Sequence, residues 1–127
     1  MKPISTKHAA EAKGHYSQAM ASNGLLFISG QLPISADGSH NYEKSFEEQT
    51  TLVFANLDAI LQAGGAQRGS LLKVTVYIAD ISKWGIFNEL YADFLGDHKP
   101  ARVVVPVPEL HYGYQLEIDA IAELVDR

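Results

Sequence analysis

Arg102 opens a β-branched stretch, Arg102 to Val107, directly after Lys99-Pro100-Ala101. A guanidinium among valines is costly unless its donors are used. Its planar fork fits a carboxylate through two parallel hydrogen bonds. The residue therefore reads either as a carboxylate-binding group or as half of a structural salt bridge to Glu117 or Asp119. Glu117 sits between Leu116 and Ile118, with Ala120, Ile121 and Ala122 following. A carboxylate on a largely buried strand can have a tuned pKa and can orient a water for attack. It can equally face solvent or a second subunit. Asp119 shares its face two residues later. Gly30 ends an apolar run, and its missing Cβ lets a ligand approach the backbone N–H and C=O closely. Tyr16 and Ser29 place hydroxyls near the same turn but define no chemistry alone.

Other site chemistries are absent from the pattern. The five histidines, His8, His15, His40, His98 and His111, show no helical i, i+4 pair and no H-E-x-x-H. With no cysteine there is no thiolate nucleophile, disulfide or sulfur-ligated metal. No P-loop, G-x-G-x-x-G or G-x-S-x-G occurs. The expectation is a site with no metal and no cofactor.

The chain has 127 residues, 46% of them hydrophobic and 20% charged, which suits one globular domain spanning 1–127. Ten Lys+Arg against fifteen Asp+Glu leave a net charge of −5. Only Arg68, Arg102 and Arg127 are arginines, a balance that argues against nucleic acid as the main partner. No apolar stretch approaches the ~20 residues of a membrane span. Met1 to His8 lacks the apolar core of a secretory signal, and a cytoplasmic protein is the expectation.

Elements must hold these groups in place. The first dozen residues read as an irregular lead-in with room for one short edge strand. Tyr16 to Ala21 and Leu25 to Ser29 read as paired strands, because Asn23-Gly24 tolerates the positive φ of a two-residue hairpin. Ser45 with Glu48 forms a capping box before Phe46, Val53, Leu57, Ile60 and Leu61, an apolar stripe of period 3.6. Gly64-Gly65 ends that helix. Leu72 to Ala79 alternates, with Val74, Val76 and Ile78 on one face. Ser82 is placed to cap a second helix that carries Phe87, Leu90, Tyr91 and Phe94 and stops at Gly96. Tyr114 to Leu124 is the last strand, with Leu116, Ile118, Ala120 and Ala122 inward. The order β-β-α-β-α-β-β predicts an α+β fold, a mixed sheet with two helices packed on one face. The other face is expected to carry Arg102, Glu117, Asp119 or their alternating neighbours. It is too apolar to sit wholly in water, so it should meet another subunit.

Several stretches in order resemble the RidA/YjgF family of enamine and imine deaminases. They are Gly14-His15-Tyr16-Ser17-Gln18-Ala19, Phe27-Ile28-Ser29-Gly30-Gln31-Leu32-Pro33, Lys73-Val74-Thr75-Val76-Tyr77, Pro100-Ala101-Arg102 and Leu116-Glu117-Ile118-Asp119-Ala120. The resemblance implies a chorismate-mutase-like (YjgF-like) fold and a homotrimer with helices outside and clefts between subunits. It implies that Arg102 binds a substrate carboxylate and Glu117 holds the hydrolytic water. Tyr16, Ser29 and Gly30 would line the cleft, and Phe87 would form an apolar wall. Two positions depart from the family. His15 stands where proline is usual, and Val104 stands where cysteine is common, which removes any thiol role but leaves a hydrolytic scheme intact.

On this resemblance the substrate is a small carboxylate-bearing imine of the 2-aminoacrylate type, hydrolysed to ammonia and a 2-keto acid. Rival readings of the same chain are a non-catalytic sensor of 2-keto acids or amino acids, a ribonuclease, and a holdase chaperone.

Overall fold

A computed structural model describes residues 1–125. Six strands form one sheet: β1 (Lys2–Ile4), β2 (Ala19–Ser22), β3 (Leu25–Gln31), β4 (Leu71–Ile78), β5 (Ala101–Pro106) and β6 (Leu116–Glu123). Their order across the sheet is β1-β2-β3-β6-β4-β5. The helices are α1 (Phe46–Ala63) and α2 (Trp84–Leu95). All neighbours are antiparallel except β4 and β5, which run parallel through the α2 crossover.

The hairpin between β2 and β3 turns at Asn23 and Gly24, with φ of 52° and 77°. Two successive left-handed residues are what a type I′ turn needs, and its twist matches that of the strands. The Ser45 Oγ accepts the Glu48 amide at 3.1 Å, and the Glu48 carboxylate accepts the Ser45 amide at 3.4 Å. At the other end of α1 the left-handed residue is Gly65, with φ of 84°. Val53, Leu57, Ile60 and Leu61 are all sealed from solvent against the sheet. Burying each such side chain contributes about 1.5–3 kcal/mol. Opposite them lie Val74, Val76 and Ile78 of β4 and Leu116, Ile118, Ala120 and Ala122 of β6, as their alternation requires.

The second helix starts differently from the sequence expectation. Ser82 does not cap it. Asp80 accepts the Ser82 amide at 3.0 Å and its hydroxyl at 2.7 Å, and so caps a single 3-10 turn, Ile81–Lys83, that runs into α2. Two capping residue types two positions apart competed, and the acidic one won the first free amides.

The helix-free face carries Phe27, Ile121, Lys73 and Ala101 in one row across the strands and Asp119, Thr75 and Val103 in the next. Phe27 and Val103 are each 44% exposed. No helix among the described residues is long and apolar enough to cross a membrane.

Candidate functional site

Register decides which way Arg102 points. In the parallel pair Arg102 lies beside Val74, and Val74 lies beside Ala120 in the antiparallel pair. Val74 and Ala120 both face the helices, so Arg102 does too. Of the residues offered for the helix-free face, Glu117 and Asp119 lie on it and Arg102 does not. Nor is it bridged to Glu117 or Asp119. Its Nη1 donates to Asn88 Oδ1 at 2.9 Å, and its guanidinium carbon lies 5.2 Å from the Trp84 ring centroid and 5.0 Å from that of Tyr91.

Trp84, Asn88 and Tyr91 stand at i, i+4 and i+7 on α2, one stripe of that helix. Two rings and one amide thus fix the guanidinium plane, each cation–π contact contributing about 0.5–1 kcal/mol. One Nη1 bond leaves the other four N–H donors of the fork for a ligand. Beside it opens a cavity of about 390 Å³ lined by Asn88, Tyr91, His98, Lys99 and Arg102 among others. The cationic lining suits a small anion. Tyr91 Oη is buried there with no hydrogen-bond partner, and burial pushes its hydroxyl up to about 12 although the Arg102 charge opposes this. Asn88 and Trp84 were not singled out from the sequence, and Tyr91 was read only as part of the apolar stripe of the second helix. An Asn and a Trp in register with an inward tyrosine on a short helix was the signal available.

Glu117 is built on the other face. It pairs with Tyr77 across the β4–β6 ladder and is half-buried. Burial raises its pKa above the ordinary glutamate value, Asp119 adds to the rise, and His111 draws it back. Next to it the β3–β6 register slips by one residue between Ile28 and Gln31, a bulge that holds Ser29 and Gly30. Strand β3 therefore runs two residues past the Ser29 expected as its end. A Cβ on Gly30 would meet Glu117 Oε2 at 2.9 Å. Glycine here is a condition for the carboxylate's position. Ser29 is engaged locally: its Oγ donates to the Ser17 carbonyl at 2.7 Å and its amide to the Gln18 carbonyl at 3.0 Å. These bonds tie the segment that carries Tyr16 to the bulge. Tyr16 is 54% exposed. It lines a cavity that also includes His111, the residue whose charge acts on Glu117.

The structure therefore gathers Tyr16, Ser29, Gly30 and Glu117 at one end of the sheet. It sets Arg102 apart on the far side. Phe87 is exposed in neither. It is wholly buried between Phe54 and Tyr91, with ring centroids at 6.1 and 5.4 Å. Within this protomer Phe87 is a core residue, packed behind the Tyr91 ring that lines the Arg102 cavity. No group of three or more His, Asp or Glu among the described residues is placed to hold a metal ion.

Residues 6–124 match the protein-family model described as Endoribonuclease L-PSP. A RutC family protein of Aquifex aeolicus is 44% identical over 124 residues, covering 96% of this chain and 98% of its own. The Arabidopsis thaliana protein named Reactive Intermediate Deaminase A, chloroplastic, is 37% identical over 121 residues, covering 95% of this chain and 65% of its own. Among solved structures, a Rid-family protein of Yersinia pestis superposes with a TM-score of 0.93 at 39% identity, over 97% of this chain and 98% of its own. Escherichia coli TdcF with bound serine gives 0.92 at 33% identity, over 98% and 100%. The two helices on a mixed six-stranded sheet are the fold of these proteins, and the chain belongs to the RidA/YjgF family, whose model carries the L-PSP description.

Proposed function

We propose that the protein is a hydrolytic deaminase of reactive 2-aminoacrylate-type enamines and their 2-imino acid tautomers. The observation that carries this reading is the pair of half-sites: a ring-clamped arginine with free donors beside one cavity, and a half-buried, charge-tuned glutamate against Gly30. The two lie on opposite faces of one protomer. They complete a site only if Arg102 of one copy meets Glu117 of a neighbouring copy. The exposed Phe27 and Val103 on the helix-free face support such an assembly, which we take to be a homotrimer with three clefts. The name of the Arabidopsis relative supports the reaction class, and the bound serine of TdcF supports an amino-acid-sized carboxylate as occupant.

In this scheme Arg102 holds the substrate carboxylate by two parallel hydrogen bonds. Glu117 accepts a proton from a water as that water attacks the C=N carbon. The imine nitrogen takes that proton as the carbinolamine forms; Glu117 then passes the hydroxyl proton to the nitrogen, the C–N bond breaks as the C=O forms, and ammonia leaves a 2-keto acid. In this scheme the Gly30 backbone, next to the Glu117 carboxylate, holds the imine nitrogen. Imines hydrolyse unaided in water, so positioning and general-base catalysis suffice. The test is the decay of 2-iminopropanoate generated in solution. Acceleration by the protein and its loss in Arg102→Ala support the proposal; a rate equal to buffer refutes it. A saturable carboxylate affinity without acceleration would favour a sensor instead. The L-PSP description raises ribonuclease activity, but a chain of net charge −5 whose helix-free face carries Glu117 and Asp119 is poorly suited to a phosphate backbone.

A further inference from the structure

Beside Tyr16 lies a second cleft, of about 220 Å³. Leu32 and Ile34 give it an aliphatic side, and His40, His111 and Tyr112 give it rings. The rings are packed on one another. His40 and Tyr112 have centroids 4.5 Å apart at 56°, and His111 and Tyr112 3.8 Å apart at 45°. The wall is also anchored from behind. Tyr114 is buried, its hydroxyl accepts the Asn41 amide at 3.1 Å, and the same oxygen lies 2.7 Å from His40 Nδ1. Tyr112 holds a left-handed backbone, φ 62°, which a tyrosine adopts only where its surroundings impose it. That turn, His111–Gly113, leads directly into β6 and so into Glu117.

We infer that this cleft is the subsite for the substrate's side chain and that it selects 2-imino acids bearing a planar aromatic group. The inference rests on the deaminase reading above. Size allows it, since cavities of about 150 Å³ already hold a benzene ring. A methyl side chain would leave the cleft largely filled with water. An aromatic ring would pack edge or face against His40 and Tyr112 and lay its rim on Leu32 and Ile34, the offset arrangement that rings prefer. The rings are already ordered, so little conformational freedom is lost when the ligand enters. Tyr16 lines this cleft, and the next residue, Ser17, accepts the Ser29 hydroxyl at 2.7 Å, so the cleft adjoins the segment tied to the bulge beside Glu117.

The test compares kcat/KM for the imine of phenylalanine with that for 2-iminopropanoate. Tyr112→Asn is the variant of choice, because asparagine accepts the left-handed backbone and carries no ring. The ratio of phenyl to methyl substrate should fall about ten-fold in Tyr112→Asn, and Tyr112→Phe should restore it. An unchanged ratio overturns the subsite while leaving the deaminase reading in place. A parallel NMR titration with phenylpyruvate follows the ring protons of His40 and His111. Shifts that disappear in Tyr112→Asn support the cleft even if neither imine is accelerated, an outcome that would sink the deaminase reading alone. Absence of shifts at both histidines overturns it.

Discussion

Arg102 and Glu117 point to opposite faces of the same sheet: Arg102 beside Val74 toward α2, Glu117 beside Tyr77 away from the helices. Strand β5 is the sheet's edge and β6 lies two strands in, so neither side chain can reach round to the other's face without unfolding the edge. A site that needs both must be assembled from two copies of the chain. This relationship governs what each substitution should do.

Arg102→Lys should fail almost as badly as Arg102→Ala. A lysine ammonium lacks the fork that grips a carboxylate at two points and lacks the plane that stacks on Trp84 and Tyr91. Steady-state assays should give kcat/KM reduced by about 10²-fold or more in both variants, as expected when two-point positioning of the substrate is lost. Both variants should still fold, with melting temperatures a few degrees lower because the contacts to Trp84, Asn88 and Tyr91 are lost.

Glu117→Gln should slow turnover and stabilise the protein at neutral pH. The folded-state pKa of Glu117 is raised, chiefly by burial, so its proton is bound more tightly in the native than in the unfolded chain. The resulting stability is full below the ordinary glutamate value and is lost as pH rises through the raised one. Glutamine never ionises and avoids that loss. Thermal melts should show the variant above wild type at pH 7, with the gap closing near pH 4, the ordinary carboxyl region. The acid limb of the wild-type pH–rate profile should correspondingly lie above the ordinary glutamate value.

Gly30→Ala should fold and lose activity. The added methyl would press on the Glu117 carboxylate at 2.9 Å, the end of a flexible side chain that can swing aside. The fold absorbs this, but the carboxylate leaves its position. A circular dichroism melt within a few degrees of wild type, with a clear fall in kcat, is the expected pair of results.

Tyr91→Phe should be neutral or stabilising. The Tyr91 hydroxyl is buried without a partner, and such a group costs about 1–3 kcal/mol. Phenylalanine keeps the ring under Arg102 and removes the stranded oxygen. Chemical denaturation should show a midpoint equal to or above wild type, and Arg102-dependent binding should persist.

Much of this fold could be read from the residues. The Ser45–Glu48 box, the Asn23-Gly24 turn and the alternation of β4 and β6 each follow from local chemistry or a strict period, and each lies where it was expected. The direction of Glu117 followed from that same alternation. Arg102 did not yield in this way. Val103, Val104 and Val105 are apolar on both faces, so β5 offers no period-two contrast, and only its pairing with Val74 fixes its orientation. The α2 residues that clamp the arginine were hidden for a related reason: contact between a strand and the helix before it depends on register, not on composition. The β3 bulge carried no signal beyond Gly30 itself. Phe87 was assigned to the cleft through family resemblance; its place on the α2 stripe makes it core within the protomer.

The most direct test mixes two variants that are each severely slowed. Arg102→Ala and Glu117→Gln chains are co-expressed, or unfolded together and refolded, so that subunits assort at random. If each site takes its arginine from one copy and its glutamate from the next, about a quarter of the sites regain both residues, and imine hydrolysis returns to roughly that fraction of wild type. If the mixture remains as slow as either variant alone while mixed oligomers are shown to have formed, Arg102 and Glu117 do not meet between copies, and the account is wrong.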